Sequence, residues 1–301
     1  MADYLIMKAV EHDKLPVKFK KLYPTINALA AAGWWTQKKY DGCMGIAMMR
    51  FDLDACQMLS RTGEDYTPSC LHILKELHEA ACEQSGSWNN FVVIGEVWLP
   101  INQAKFPAIS GMFRRKAASK LRFMANDLLP ADFTTTEAYR LRFADLCELL
   151  PKLDGDNEVG PEWFCEVVET HHTASDPMEL ALRWQGHGGY DGAIMRDPVA
   201  GYTVGTVKAG EIVKVKPVLS LDLKVTNQFR EVGKKTGRDV YSIEVVYLGV
   251  HSRVGSGIPH SWDEVPPIHS IAEIECLGIT EDGKLREPRF KGIRIDKVKP
   301  D

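Results

Sequence analysis

What the chain lacks narrows it first. Its seven cysteines (Cys43, Cys56, Cys70, Cys82, Cys147, Cys165 and Cys276) are odd in number, scattered, and never spaced as C-x-x-C. That usage excludes a zinc module and a disulfide frame, and fits reduced thiols in a cytoplasm. No apolar run approaches the ~20 residues that span a bilayer, and the first residues carry no basic-then-apolar leader. A cytoplasmic protein without membrane contact is therefore expected. Internal repeats and low-complexity segments are also missing. So is an excess of positive charge. A net charge of -4 over 301 residues excludes a wholly basic nucleic-acid coat and leaves only local faces to meet phosphates. What remains is an ordinary core-forming chain, 45% apolar and 26% charged, long enough for one large domain or two smaller ones.

The stretch that organises the chain is Lys39-Tyr40-Asp41-Gly42. It follows Gly33-Trp34-Trp35-Thr36 and precedes an expected strand over 43–51. A lysine at the lip of a sheet, just before a tight Asp-Gly turn, suits nucleophilic catalysis. Lysine attacks only without its proton, a state that partial burial or nearby positive charge favours. Alone the motif is weak, because a solvated lysine at a hairpin turn satisfies it equally well.

Other signals follow in order. Residues 43–60 read as a hairpin broken at 52–54. Thr67-Pro68 reads as a helix start with Thr67 as cap, followed by a stripe of Leu71, Leu74, Leu77 and Ala81. Residues 91–98 form a dense apolar strand that nonetheless holds Glu96, and a carboxylate there costs free energy unless paired or metal-bound. Residues 105–120, with Arg114-Arg115-Lys116, read as a basic loop. Thr134-x-x-Glu137 resembles a capping box, residues 151–162 an acidic loop, and Asp176-Pro177 a second helix start. Gly188-Gly189-Tyr190-Asp191-Gly192 leads into a strand over 193–196. Residues 212–216 alternate, which places Lys214 and Lys216 on one face, ready to clamp an anion. Beyond Pro217, short alternating stretches (222–226, 240–248, 272–277, 292–295) between glycine-rich turns predict a small all-β barrel. Its basic residues cluster near the start (Lys224, Arg230, Lys234, Lys235) and near the end (Arg289, Arg294, Lys297).

Taken together, Lys39-Tyr40-Asp41-Gly42, Ser60-Arg61-Thr62-Gly63, Gly95-Glu96-Val97-Trp98, Asp191-Gly192-Ala193-Ile194-Met195-Arg196, Lys214-Val215-Lys216 and Arg294-Ile295-Asp296-Lys297 resemble an ordered motif series. It is that of the covalent nucleotidyltransferases: ATP-dependent DNA ligases, RNA ligases and mRNA capping enzymes. Within them the chain is most similar to the short ATP-dependent DNA ligases of tailed bacteriophages. Ser110-Gly111-Met112-Phe113-Arg114 and the run 282–290 add to that likeness.

The resemblance implies an α+β protein. A two-sheet adenylation domain over 1–217, with its nucleotide pocket between the sheets, would precede a mobile OB-fold domain over 218–301. It implies a near-minimal monomeric enzyme that uses ATP and Mg²⁺ to seal nicked double-stranded DNA in replication, repair and recombination. Lys39 would take AMP from ATP, pass it to the 5′-phosphate at the nick, and leave the 3′-OH to displace it. Gln37, Lys38, Tyr40, Arg61, Asn126, Lys214 and Lys216 would bind the nucleotide. Glu96 would contact both nucleotide and metal, with Asp191 as second metal ligand. Arg294 and Lys297 would close over ATP and orient the leaving pyrophosphate. Arg61, Arg114, Arg115, Lys116, Lys234 and Lys235 would meet DNA.

Three positions depart from the family pattern. Met44 stands where an arginine usually aids nick recognition. Asn126 stands where an aromatic ring usually stacks on adenine. Asp191 replaces a longer glutamate. The competing readings are an RNA ligase, a GTP-using capping enzyme, and a non-catalytic DNA-end-binding module.

Overall fold

The computed structural model describes residues 6–84, 90–100, 106–116, 120–150, 163–172, 175–187, 189–205, 211–233, 237–280, 282–297 and 299–301. The chain divides into two compact units, Met1–Lys216 and Pro217–Asp301. In chain order the first contains β1 (Val10–Glu11), α1 (Val17–Leu22), α2 (Ile26–Ala31), β2 (Trp35–Tyr40), β3 (Cys43–Met49), β4 (Gln57–Ser60), α3 (Thr67–Glu83) and β5 (Phe91–Trp98). There follow α4 (Phe106–Arg114), β6 (Arg122–Pro130), α5 (Tyr139–Leu149), β7 (Cys165–Val167), β8 (Thr170–His171), α6 (Pro177–Gly186), β9 (Tyr190–Arg196) and β10 (Ile212–Val215).

The strands form two five-stranded sheets, ordered β1-β10-β9-β2-β8 and β4-β3-β5-β6-β7. β2 belongs to the first and β3 to the second, so Asp41-Gly42 carries the chain from sheet to sheet rather than round a hairpin. The crossing demands glycine. A Cβ on Gly42 would lie 2.3 Å from the Val97 carbonyl oxygen and 2.8 Å from Glu96 Cγ. Backbone and strand approach too closely there for any side chain.

Strand alternation sorts the faces. On the outer face of the first sheet, Ala193, Met195, Val213 and Val215 pack with Leu29 and Trp184 of α2 and α6. On the outer face of the second, Val93, Val97 and Phe123 pack with Ile73, Leu74 and Leu77 of α3. Between the sheets, Ile46, Val92, Ile94, Leu129, Tyr202 and Ile212 form a core of their own. Burying one such side chain contributes about 1.5–3 kcal/mol. The alternate positions Gln37, Lys39 and Lys214 share the inner face of the first sheet with Ile194, as the strand register requires.

Three local expectations change. The N-cap of α3 is Tyr66, and Thr67 Oγ accepts instead from Met58 N–H at 3.0 Å, tying the helix to β4. The expected basic loop over 105–120 contains α4. Ile109, Met112 and Phe113 stand at helical spacing, Ile109 is fully buried, and Phe113 stacks on Tyr66 at 3.8 Å. Arg114 closes its last turn, where cations suit the helix dipole. Thr134-x-x-Glu137 caps nothing. α5 begins at Tyr139 behind Ala138, and Thr135 Oγ takes the Glu137 N–H at 3.0 Å in the preceding turn. Asp176 does cap α6, accepting from Met178 N–H at 2.8 Å and Glu179 N–H at 3.2 Å. The acidic loop expected over 151–162 and Gly188 lie outside the described residues.

The second unit is an antiparallel OB-fold sheet. Its strands are β11 (Leu219–Val232), β12 (Asp239–Tyr247), β13 (Val250–Val254), β14 (Ile271–Cys276) and β15 (Arg289–Ile293), ordered β13-β12-β11-β14-β15. Leu223, Val225, Ile243, Val245 and Ile274 fill its core. β11 runs well beyond the expected 222–226. Its first half pairs with β14 and its second with β12, and the β12 pairing shifts register between Val225 and Asn227. That irregularity breaks the alternation, which is why only the first half reads as strand from sequence. Among the described residues no helix is long and apolar enough to cross a membrane.

Candidate active site

Lys39 occupies the last inward position of β2 before the crossing. Its Nζ donates to Asp191 Oδ2 at 2.8 Å, and Lys216 Nζ reaches the same oxygen at 2.7 Å. Asp191 comes from β9, the neighbour of β2, and Lys216 lies just past β10, the neighbour of β9. Three adjacent strand ends thus deliver one carboxylate and two ammonium groups to one point. Burial works to raise the Asp191 carboxyl, but Lys39 and Lys216 outweigh it and leave it below its ordinary value.

Lys214 goes elsewhere. It pairs with Glu11 Oε1 at 3.0 Å, and Lys14 joins the same glutamate. The two strand lysines therefore rest on different carboxylates.

Glu96 enters from the second sheet, on β5, directly opposite Met44 of β3. Lost hydration pushes its carboxyl up to about 7. The Lys39 charge and a hydrogen bond from Gly42 N–H oppose that, and the carboxylates of Asp41 and Asp191 reinforce it. The sign of the consequence follows from linkage. Between pH 4.5 and 7 the unfolded chain releases this proton while the native chain keeps it, so stability falls as pH rises and levels off above about 7. Glutamine cannot ionise. Glu96→Gln is expected to melt higher than the wild type at pH 8, with a gain of up to about 3 kcal/mol that disappears near pH 4. Thermal melts of both proteins at the two pH values check this.

The remaining expected positions are spread around this centre. Gln37 is buried, and its Nε2 donates to Tyr139 Oη at 2.8 Å and Thr170 Oγ at 2.9 Å. Lys38 points to the opposite face, pairs with Glu169 and lies 5.1 Å over the Tyr190 ring. Tyr40 is a core residue packed edge-on against Trp98 and Tyr190. Arg61 is exposed at the end of β4, in a turn where Ser60 Oγ accepts from the Thr62 and Glu64 N–H groups at 3.2 and 3.0 Å. Arg114, Arg115 and Lys116 are exposed at the end of α4. Lys234 and Lys235 lie outside the described residues. Arg294 and Lys297 follow β15 in the second unit.

The model of the ATP dependent DNA ligase domain family matches residues 14–216, well over half of the chain. The chain belongs to the ATP-dependent DNA ligase family.

Solved structures agree on the fold across both units of the ligase. A structure of Lig E DNA ligases, described as binding DNA with a minimal scaffold, superposes with a TM-score of 0.64 at 20% identity, covering 96% of this chain and 98% of that one. The ATP complex of the bacteriophage T7 ATP-dependent DNA ligase gives 0.53 at 19% identity, covering 96% and 98%. The ligase domain of M. tuberculosis LigD gives 0.52 at 19% identity, covering 98% and 96%. Among curated proteins, no sequence relative matches.

Sequence reasoning missed one part of the ligase. Asn126 is the extra residue of a bulge: Ile94 pairs with Asp127, Gly95 pairs with Ala125, and Asn126 is skipped. Its carbonyl accepts from Arg196 Nη1 at 2.7 Å and Tyr139 Oη at 2.9 Å. Next to it, fully buried Asp127 takes Arg142 at 2.9 Å and Arg196 at 3.2 Å. The Arg196 guanidinium also covers the Tyr139 ring at 4.2 Å. This network runs from Gln37, through Tyr139, to the bulge on the opposite sheet. The signal for it was Asp127 inside an apolar strand, which demands buried partners.

Proposed function

We propose that Lys39 is the nucleophile of this ligase. One observation carries the reading: Lys39 Nζ stands at the inter-sheet crossing, against Asp191 and Lys216 and within the field of Glu96. Once deprotonated, Nζ attacks the α-phosphorus of ATP. A P–N bond forms, the α–β P–O bond breaks, and pyrophosphate leaves. A 5′-phosphate oxygen at a DNA nick then attacks the same phosphorus and breaks the P–N bond. The 3′-OH finally attacks the activated 5′-phosphate and expels AMP. Each step is phosphoryl-type transfer, in which positioning and neutralised charge dominate. Lys216 suits the α-phosphate, and Lys214 joins it by leaving Glu11. Gln37 spends its amide N–H groups on Tyr139 and Thr170 and so offers an acceptor, which suits the amino group of adenine. Asn126, linked to Gln37 through the Tyr139 hydroxyl, suits a place beside the adenine, Arg61 suits ribose or phosphate, and the cations at the end of α4 suit the DNA backbone.

Among the described residues there is no cluster of three or more His, Cys, Asp or Glu that could hold a metal. Glu96 and Asp191 nevertheless fit Mg²⁺, which is commonly held by one or two carboxylates together with substrate phosphates. When bound, the ion would neutralise phosphate charge. The reading extends to a monomer acting on nicked duplex DNA in a cytoplasm, in replication, repair and recombination, and to a bacteriophage-type enzyme.

The test uses the purified protein with Mg²⁺ and α-labelled ATP or α-labelled GTP, followed by an unlabelled nicked duplex. Label from ATP alone, lost on the chase as a sealed strand appears, is the expected result. Label from GTP, or joining of nicked RNA but not nicked DNA, would replace this reading with a capping enzyme or an RNA ligase. No label from protein shown to be folded and free of AMP would leave DNA-end binding without chemistry.

A further inference from the structure

The end of the OB-fold unit contains an arrangement that no motif of the series accounts for. Asp222, on β11, is 5% exposed. Its Oδ2 accepts from Arg294 Nη1 at 2.7 Å and also pairs with Lys297. One buried carboxylate oxygen therefore holds both cations of Arg294-Ile295-Asp296-Lys297, which are separated from it by most of the unit's sequence. Asp296 takes the rest of the Arg294 fork, at 2.9 Å from Nε and 2.7 Å from Nη2. Asp301 takes Lys297 at 3.2 Å. It also closes on the Asp222 backbone: its N–H donates to Asp222 O, and its Oδ2 accepts from Asp222 N–H, both at 2.8 Å. β11 has that backbone edge to spare because β12 pairs with it only from Lys224 onward.

Asp222 commits a single oxygen, Oδ2, to both cations and so fixes the distance between them.

We infer that Asp222 is a positioning residue for the nucleotide step, holding Arg294 and Lys297 as one preassembled cationic pair. The inference rests on the role toward ATP that the resemblance implies for those two residues, which we propose here as part of the same reading. Without Asp222 the two long side chains would sample separate rotamers, and the nucleotide step would bear the entropy of ordering them.

The test separates the first step from the last. Self-labelling of full-length protein by α-labelled ATP reports the first. Sealing of a chemically pre-adenylylated nick, with no ATP present, reports the last. Asp222→Asn is expected to slow labelling by roughly ten- to a hundredfold, the scale of a lost charge-assisted hydrogen bond. Sealing of the pre-adenylylated nick should fall at least about tenfold less. Arg294→Ala, run in parallel, should show the same split. Equal losses in both steps, or wild-type labelling, in Asp222→Asn would reduce Asp222 to a structural ion pair and overturn the inference. Wild-type labelling in Arg294→Ala would sink the proposed role of Arg294 first, and the inference with it. If thermal melting shows Asp222→Asn to be unfolded, Asp222→Glu keeps the charge but moves it by one methylene. The same split there supports positioning, and its absence overturns it.

Discussion

Lys39→Ala takes no label from α-labelled ATP, at any enzyme concentration at which the wild type is saturated with label. On the proposed reading the loss is complete rather than graded, because the P–N bond forms on the Lys39 nitrogen. Lys39→Arg should fail equally. It keeps the charge beside Asp191 but holds its proton at any working pH. Both variants should fold. Asp191 retains Lys216 at 2.7 Å, so neither substitution leaves that carboxylate without a cation. Melting within a few degrees of the wild type, together with absent label, is the expected pair of results. Label on Lys39→Ala would move the nucleophile to another residue. A second readout follows from the same geometry. The Lys39 charge holds Glu96 down to about 7, so in Lys39→Ala the carboxyl should titrate higher still, as carbon-detected NMR of the glutamate side chain would report.

Asp127→Ala carries the largest expected cost in stability. Asp127 is fully buried and neutralises two arginines that are themselves 2% and 5% exposed. Removing it leaves both guanidiniums unpaired in the interior. Breaking a buried pair from one side typically costs about 3–5 kcal/mol, even where the intact pair adds little over a well-packed apolar pair. Denaturant unfolding should show a loss in that range, read from the midpoint with the slope unchanged. The three side chains come from β6, α5 and β9, so the loss should reach function too. The Asn126 bulge is held by Arg196 and by Tyr139, which also holds Gln37. An increased KM for ATP, alongside the shifted midpoint, would mark the cluster as the support of the nucleotide pocket. An unshifted midpoint would refute the accounting for this cluster.

Much of this was legible in the chain because it depends on local chemistry. A lysine before Asp-Gly, a carboxylate inside an apolar strand, and two lysines at alternating positions each demand an explanation wherever they fall. The Asp176-Pro177 start reads correctly because its hydrogen bonds lie within a few residues of itself. The misreadings share the opposite cause. Thr67 looked like a cap until a strand nine residues earlier claimed its hydroxyl. Residues 106–114 looked like a charged loop because their burial depends on the distant Tyr66 and the α3 core.

The sequence by itself determined the chemical inventory: the nucleophile candidate, the two carboxylates, the cations, and the order in which the chain presents them. Only the tertiary structure decided how the inventory is shared. It sent Lys216 to Asp191 and Lys214 to Glu11, although alternation places them on one face. It made Asp41-Gly42 a passage between two sheets, with the Val97 carbonyl too close for a Cβ. It gave Arg294 and Lys297 a single buried oxygen on Asp222. Residue type and spacing along the chain set what a side chain can do. Which partner it meets is set by strand order and register, and these depend on contacts between residues far apart in sequence.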